Sequence, residues 1–156
     1  MPILKEGDTA PEIHLETDAG ETFDLAAHRG RKIVLFFYPR ADTPGCTVEA
    51  CEFRDAGPQF TEKDALVVGI SPDTVKAQAR FKEKFDLNFI LLADHEKQAV
   101  NAYGVYKEKN MYGKKVMGVE RTTFLIDEHG KIAKIFNKVK PEGHAAEVLS
   151  SGAIAR

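Results

Sequence analysis

The sequence predicts one α/β domain, over residues 1–156, in which a mixed sheet carries helices on both faces. Two continuous apolar runs, at residues 33–37 and 66–70, are typical of strands that are covered on both faces. Segments with apolar residues at helical spacing alternate with these runs, and a hairpin followed by a last helix closes the chain. A chain of 156 residues has the length of one ordinary domain and can bury roughly two thirds of its unfolded surface.

The first predicted elements are a small N-terminal hairpin and the first buried strand. Apolar residues on each side of the turn residues 18–20 favour two short antiparallel strands. The apolar run at residues 33–37 follows, and it ends at Pro39.

A helix is predicted from about Pro44 to Ala56. Cys46, Ala50 and Phe53 recur at the i, i+4 and i+7 positions of this segment. This spacing places the first of the two cysteines on the inward stripe of the helix.

The rest of the chain continues the alternation of strand and helix. The predicted elements are a strand at 66–70, a helix at 74–85 with Ala77, Phe81 and Phe85 on one stripe, a strand at 89–92, a short helix at 98–103, an antiparallel pair at 122–126 and 132–136, and a last helix that Pro141 opens and that runs through Leu149.

Charge and composition exclude several classes of partner. The chain has 22 Lys and Arg against 24 Asp and Glu, and the basic residues are spread along it, so we expect no nucleic-acid partner. Acidic residues stand near the N-terminus where a signal peptide needs an apolar run, and no stretch approaches the roughly 18 apolar residues of a membrane span. We therefore expect a cytoplasmic protein with no membrane partner. Two cysteines in such a protein are more often redox-active than structural.

Cys46 is predicted to lie in the first turn of its helix. Thr43 suits the N-cap, and Pro44 suits the first helical position, where a missing N–H costs nothing. Unpaired N–H groups and the positive end of the helix dipole favour an anion there, so the sequence predicts a nucleophilic thiolate. Gly45 leaves space for a small substrate to approach the sulfur. The alternative is a cysteine that only fills the core, since cysteine is among the most often buried residues.

Cys51 follows five residues later on the same helix. Standard helix dimensions separate the two Cα atoms by about 8.7 Å. This exceeds the roughly 7 Å beyond which a disulfide needs backbone movement. A static disulfide is therefore excluded, whereas a transient one can form after the first helical turns unwind.

Other sites that use cysteine fit the sequence less well. A structural zinc site needs four ligands at set spacings, but the five histidines, at positions 14, 28, 95, 129 and 144, are not paired at ligand spacing with each other. A cysteine hydrolase with a histidine base stays open on spacing alone, although no local signature supports it. A thiol oxidoreductase is expected to show C-x-x-C, and the spacing here is C-x4-C.

The same stretch resembles the active-site signature of the peroxiredoxins. P-x3-T-x2-C, written here as Pro39, Thr43 and Cys46, matches that signature, and C-x4-C within "DTPGCTVEACEFRD" is similar to the peroxiredoxin Q subfamily, also called bacterioferritin comigratory proteins. The resemblance extends from "GDTAPEIHL" to "RTTFLIDEHGKI". It implies a thioredoxin-like fold with an N-terminal extension, and reduction of hydrogen peroxide and alkyl hydroperoxides with electrons from thioredoxin. It implies no metal and no other cofactor.

The resemblance also implies roles for five residues. Cys46 matches the peroxidatic cysteine and Cys51 the resolving cysteine. Thr43 matches the threonine whose hydroxyl contacts both the thiolate and the peroxide, and Pro39 the proline that shields the site from water. Arg121, in "GVERTTF", matches the arginine beside the sulfur, although an arginine just before a strand is most often a surface residue.

Three points stay open at this level. Glu49 corresponds to an acidic residue that orients the arginine, or it is an ordinary glutamate on a helix surface. The interpretation as an enzyme has two alternatives: a redox-sensing thioredoxin-like protein that signals oxidation to a partner, and a thioredoxin-like scaffold without chemistry. The expected partners are peroxides and thioredoxin or a similar dithiol, and the expected state is a monomer or weak dimer.

Overall fold

The computed structural model describes residues 4–152 and 154. Within them the strands are β1 (His14–Thr17), β2 (Thr22–Asp24), β3 (Lys32–Phe37), β4 (Ala65–Ser71), β5 (Ile90–Ala93), β6 (Tyr106–Met111), β7 (Lys114–Val119), β8 (Thr122–Ile126) and β9 (Ile132–Phe136). The helices are α1 (Pro44–Asp55), α2 (Gly57–Glu62), α3 (Val75–Phe85), α4 (Gln98–Ala102) and α5 (His144–Ser150), with a 3-10 helix at Leu25–His28.

The central sheet is mixed, as predicted. Its described strands lie in the order β2-β1-β5-β4-β3-β8-β9. Strand β4 pairs in parallel with β3 on one side and β5 on the other, whereas β8 is antiparallel to both β3 and β9. The predicted N-terminal hairpin forms from β1 and β2 and extends the sheet beyond β5 through an antiparallel pairing of β1.

The two faces of the sheet carry separate hydrophobic clusters. Along β3, Ile33, Leu35 and Phe37 point into one cluster and Val34 and Phe36 into the other, and all five side chains are buried. This is the double burial that the continuous apolar run predicted. Helices α1, α2, α3 and α5 supply buried residues to the second cluster, and α4 and the 3-10 helix supply them to the first. Helices on both faces are thus confirmed.

The last helix begins later than predicted. The proline signal placed its start at Pro141, but α5 begins at His144. Gly143 lies in the left-handed region with φ of 79°, and its N–H donates to the Glu52 carboxylate of α1 at 2.8 Å. A tertiary contact with α1, rather than a local proline signal, therefore sets the start of α5.

The buried stripe of α3 also differs in part from the prediction. Phe81 is fully buried as expected, but Ala77 and Phe85 are only half-buried, and Gln78 is buried in their place. A buried glutamine needs hydrogen-bond partners, and these partners belong to the site described below.

Three described features were not predicted, namely the 3-10 helix at Leu25–His28, α2 and the β6–β7 hairpin. The hairpin pairs β6 only with β7, apart from the central sheet. A two-residue turn joins its strands, and both turn residues, Tyr112 and Gly113, have positive φ. Such a turn matches the right-handed twist of a hairpin.

No helix in the described ranges is both long and apolar enough to cross a membrane.

Candidate active site

Helix α1 begins shortly after the end of strand β3, an inner strand of the sheet. The chain leaves β3 at Phe37, passes through a loop at residues 38–43 and enters α1 at Pro44. Cys46 then falls in the first turn with 1% of its surface exposed, on the inward stripe that the periodicity predicted. Its sulfur carries no disulfide.

A buried polar network fastens this loop to the sheet. The Tyr38 hydroxyl donates to Gln78 Oε1 at 2.6 Å, and the Gln78 amide donates to a β5 carbonyl at 2.7 Å. On the other side, Asp73 Oδ2 accepts from the Ser71 hydroxyl at 2.6 Å and from the Ala41 backbone N–H at 2.8 Å. Burial raises the pKa of Tyr38 far above its usual range, so the phenol stays a neutral donor. The loop that leads to Cys46 is therefore held at its first residue, Tyr38, and near its middle, at Ala41.

The Arg121 guanidinium contacts the Cys46 sulfur. Arg121 directly precedes β8, the antiparallel neighbour of β3, and its Nη2 lies 3.4 Å from Cys46 Sγ. Its Nη1 donates to Glu49 Oε1 at 2.8 Å. Burial by itself lowers the pKa of Arg121, but the charges of Glu49 and Cys46 outweigh this effect and raise it. The site therefore holds a permanent cation against the sulfur, where the sequence alone favoured a surface arginine.

Glu49 is a buried residue and not a surface glutamate. None of its surface is exposed, and its Oε2 has no hydrogen-bond partner among the described residues. Burial raises the pKa of Glu49 to about 7, although Arg121 acts in the opposite direction. The carboxylate fixes one edge of the Arg121 guanidinium and leaves the other edge to Cys46. A sequence signal existed, because Glu49 stands at i+3 from Cys46, on the same inward stripe.

Gly45 makes room for the arginine rather than for substrate alone. A Cβ atom at position 45 would lie 3.1 Å from Arg121 Nη2 and 3.4 Å from Pro141 Cγ. The first contact is tighter than ordinary van der Waals distance, so a side chain there would displace the guanidinium by a few tenths of an ångström. The absence of a side chain at Gly45 is thus part of how Arg121 reaches the sulfur.

Thr43 and Pro39 lie in the loop that leads to Cys46. Thr43 occupies the N-cap position as predicted, with an extended backbone, but its side chain makes no capping hydrogen bond. Its hydroxyl instead donates to the Arg40 carbonyl at 2.8 Å, which leaves the oxygen lone pairs free to accept. Pro39 is half-buried at the beginning of the loop.

Cys51 lies further along α1 and is half-exposed. Both cysteines are free, and the helix runs unbroken through them from Pro44 to Asp55. In an intact helix their Cα atoms are about 8.7 Å apart, so this conformation is the reduced one.

Metal ligands are not grouped in the described part of the chain, where no three His, Cys, Asp or Glu residues could hold an ion together.

Similarity to known proteins identifies the family to which this chain belongs. The AhpC/TSA family model matches residues 6–135, and the chain therefore belongs to this family. It is 48% identical to peroxiredoxin Bcp of Bacillus subtilis over 148 residues, which cover 95% of this chain and 94% of that protein. It is 42% identical to peroxiredoxin Bcp of Escherichia coli over 150 residues, 96% of each chain.

Solved structures of similar proteins narrow the assignment within this family. The bacterioferritin comigratory protein of Xanthomonas campestris superposes with a TM-score of 0.85 at 40% identity over 88% of each chain. A cysteine-to-serine mutant of PrxQ from Xylella fastidiosa superposes with a TM-score of 0.90 at 36% identity, covering 96% of this chain and 95% of that one. The thioredoxin-like peroxiredoxin fold is thereby confirmed, and within the family the protein is a peroxiredoxin of the Bcp/PrxQ group, a thiol peroxidase.

Proposed function

We propose that this peroxidase reduces hydrogen peroxide and alkyl hydroperoxides through Cys46, forms an intramolecular disulfide with Cys51, and is returned to the reduced state by thioredoxin. The observation that carries the proposal is the 3.4 Å contact between Arg121 Nη2 and Cys46 Sγ at the start of a helix. A thiolate needs such an electropositive environment to act as a nucleophile at neutral pH.

In the first step the Cys46 thiolate attacks one peroxide oxygen. A sulfur–oxygen bond forms, the O–O bond breaks, and the departing oxygen takes up a proton to leave as water or an alcohol. Arg121 and the N–H groups at the start of α1 stabilise the charge that develops on the oxygens. Thr43 offers its lone pairs to the peroxide hydrogen, and Pro39 limits the access of water to the sulfur. Cys46 becomes a sulfenic acid.

In the second step the Cys51 thiol condenses with this sulfenic acid and releases water. The resulting disulfide protects Cys46 from the irreversible sulfinic step and presents a bond that an external dithiol can reduce. Because the two Cα atoms lie too far apart in an intact helix, the first turns of α1 unwind before the disulfide closes.

The direct test is the consumption of NADPH in the presence of peroxide, thioredoxin and thioredoxin reductase. We expect continuous turnover with both classes of peroxide and none with Cys46→Ser, whose fold should be unchanged. A protein that consumes about one peroxide per molecule and then stops would support the redox sensor instead. Near-normal turnover in Cys46→Ser would refute the mechanism.

Two further properties belong to the proposal. Thioredoxin in the cytoplasm is the expected electron source, so we expect this protein to be cytoplasmic as well. One chain contains all the residues of the cycle, which suits a monomer or weak dimer in which each subunit works alone. Sedimentation of the reduced protein measures that state.

A further inference from the structure

A lysine of the β6–β7 hairpin extends across the neighbouring strand towards the active site. Lys109 is half-buried on β6, and its side chain lies over Gly118 of β7. A Cβ at position 118 would stand 3.3 Å from Lys109 Cδ and 3.7 Å from its Nζ. Because Gly118 has no side chain, it leaves the space in which the aliphatic part of Lys109 lies.

The Lys109 ammonium group is anchored at the end of β7. Its Nζ donates to the backbone carbonyl of Val119, a fully buried residue that stands two positions before Arg121. The charges that act on the Lys109 ammonium group are those of Arg121, Cys46 and Glu120. Burial, followed by the Arg121 charge, lowers the pKa of Lys109, whereas Cys46 and Glu120 act in the opposite direction.

A second cation beside Arg121 has an electrostatic cost, because like charges repel. The opposing gain is the attraction of the Cys46 thiolate, whose charge acts on both cations. Glu49 already takes up one edge of the Arg121 guanidinium at 2.8 Å, so only part of the Arg121 charge acts on the sulfur. An additional positive charge near the sulfur would compensate for that loss.

We propose that Lys109 is a second cation of the active site, held by the hairpin so that its charge adds to that of Arg121 in stabilising the Cys46 thiolate. Lys109 is a positioning residue in this role, since it acts through the field at the sulfur. The proposal rests on the proposed function only for its effect on peroxide reduction. Its effect on the thiolate stands independently.

The test uses alkylation of Cys46 by iodoacetamide, which reacts with the thiolate and needs no peroxide. Cys51→Ser provides the background, so that Cys46 is the one thiol in the sequence. At pH 7, Lys109→Gln should slow alkylation about two- to tenfold, as expected for one unit charge acting through partly screened surface. The rate-against-pH curve should shift to higher pH. Lys109→Arg should restore most of the rate.

The matched control is Lys115→Gln on the same hairpin. Lys115 pairs with exposed Glu108 at 3.6 Å, and its own side chain is 80% exposed. The Lys115→Gln substitution should leave the rate of Cys46 alkylation unchanged. Equal slowing by Lys109→Gln and Lys115→Gln, or an unchanged rate in Lys109→Gln, would overturn the proposal, as would a slow Lys109→Arg variant that unfolds at the same temperature as the parent.

Peroxide turnover of the same variants, measured with Cys51 restored, separates this proposal from the function. Slower alkylation in Lys109→Gln with no turnover in any variant would support Lys109 as a second cation and would contradict the thioredoxin-linked cycle. Normal turnover with unchanged alkylation would support the cycle and would contradict the role of Lys109 as a second cation.

Discussion

At the residue scale, the proposed chemistry depends on how the Arg121 guanidinium is held against Cys46. Glu49 fixes one edge of the guanidinium, and Gly45 leaves the space in which it lies. An arginine that is free to move in solvent would lose more conformational entropy on making the same contact. The bond to buried Glu49 holds the Arg121 guanidinium in place in the reduced protein.

Arg121→Ala should slow the peroxide step about 10²-fold, the usual cost of removing one donor that stabilises a developing oxyanion. Gly45→Ala should slow it less, because the new Cβ only displaces the guanidinium. Stopped-flow measurement of Cys46 oxidation gives both rates. If Gly45 acts through Arg121, Gly45→Ala should have little further effect in the Arg121→Ala background. Full additivity of the two substitutions would contradict this explanation of Gly45.

The raised pKa of Glu49 predicts how stability depends on pH. A carboxyl whose pKa is about 7 when folded and 4.5 when unfolded binds more protons in the folded state between those values. Stability therefore falls as pH rises from 5 to 7, by on the order of 2 to 3 kcal/mol. Arg121 and Glu52 are the charged groups that act on this carboxyl.

Glu49→Gln should remove this loss. Urea unfolding at a series of pH values, compared between the two proteins, isolates the effect because the other titrating groups are shared. Glu62→Gln, which changes an exposed carboxylate on α2, should behave like the parent. Parallel curves for the parent and Glu49→Gln would mean that Glu49 is ionised throughout this range.

At the scale of the element, aromatic packing holds the far end of α1, whereas its start is a helix end that follows a loop. Near its far end, the Phe53 ring stacks on Phe36 with centroids 4.6 Å apart and meets the His144 ring edge-on at 5.7 Å. Glu52 accepts from the Gly143 N–H of the α5 entry. Near its start, the Thr47 N–H to Thr43 carbonyl bond closes the first turn, and helix ends open at low free-energy cost.

This asymmetry predicts where oxidation unwinds the helix. Amides at residues 47–51 should lose protection from hydrogen exchange in the disulfide form, whereas those at 53–55 should keep much of theirs. Comparison of the reduced and oxidised proteins at matched pH measures both. Equal protection of residues 47–51 in a protein known to carry the Cys46–Cys51 disulfide would contradict the unwinding step.

At the scale of the whole molecule, the sequence predicts the sheet better than it predicts the surroundings of the site. Residues 33–37 and 66–70 form β3 and β4 because apolar runs of this kind can be accommodated only at the centre of a covered sheet. The β6–β7 hairpin was missed because it is rich in lysine, mostly exposed, and lacks the alternation of a half-buried strand. Lys109 was missed with it.

The site shows the same division between local and tertiary information. The helix start and the spacing of Cys46 and Cys51 are local features, and both were predictable from neighbouring residues. The placement of Arg121 beside the sulfur comes from the antiparallel pairing of β8 with β3, and only the family resemblance indicated it. The start of α5 at His144 depends on Glu52 of α1, so local proline and capping rules could not locate it.

The most direct test of the central claim is the mass of the tryptic peptide that spans residues 41–54 after one equivalent of peroxide. Trypsin cleaves after Arg40 and Arg54, so this peptide contains both cysteines. It should become two hydrogens lighter in the parent protein, as an intramolecular disulfide requires. In Cys51→Ser the same peptide should instead gain oxygen on Cys46, and excess peroxide should carry it to the sulfinic or sulfonic acid. A parent peptide that keeps two free thiols while peroxide is consumed would contradict the claim that Cys46 reacts and Cys51 resolves.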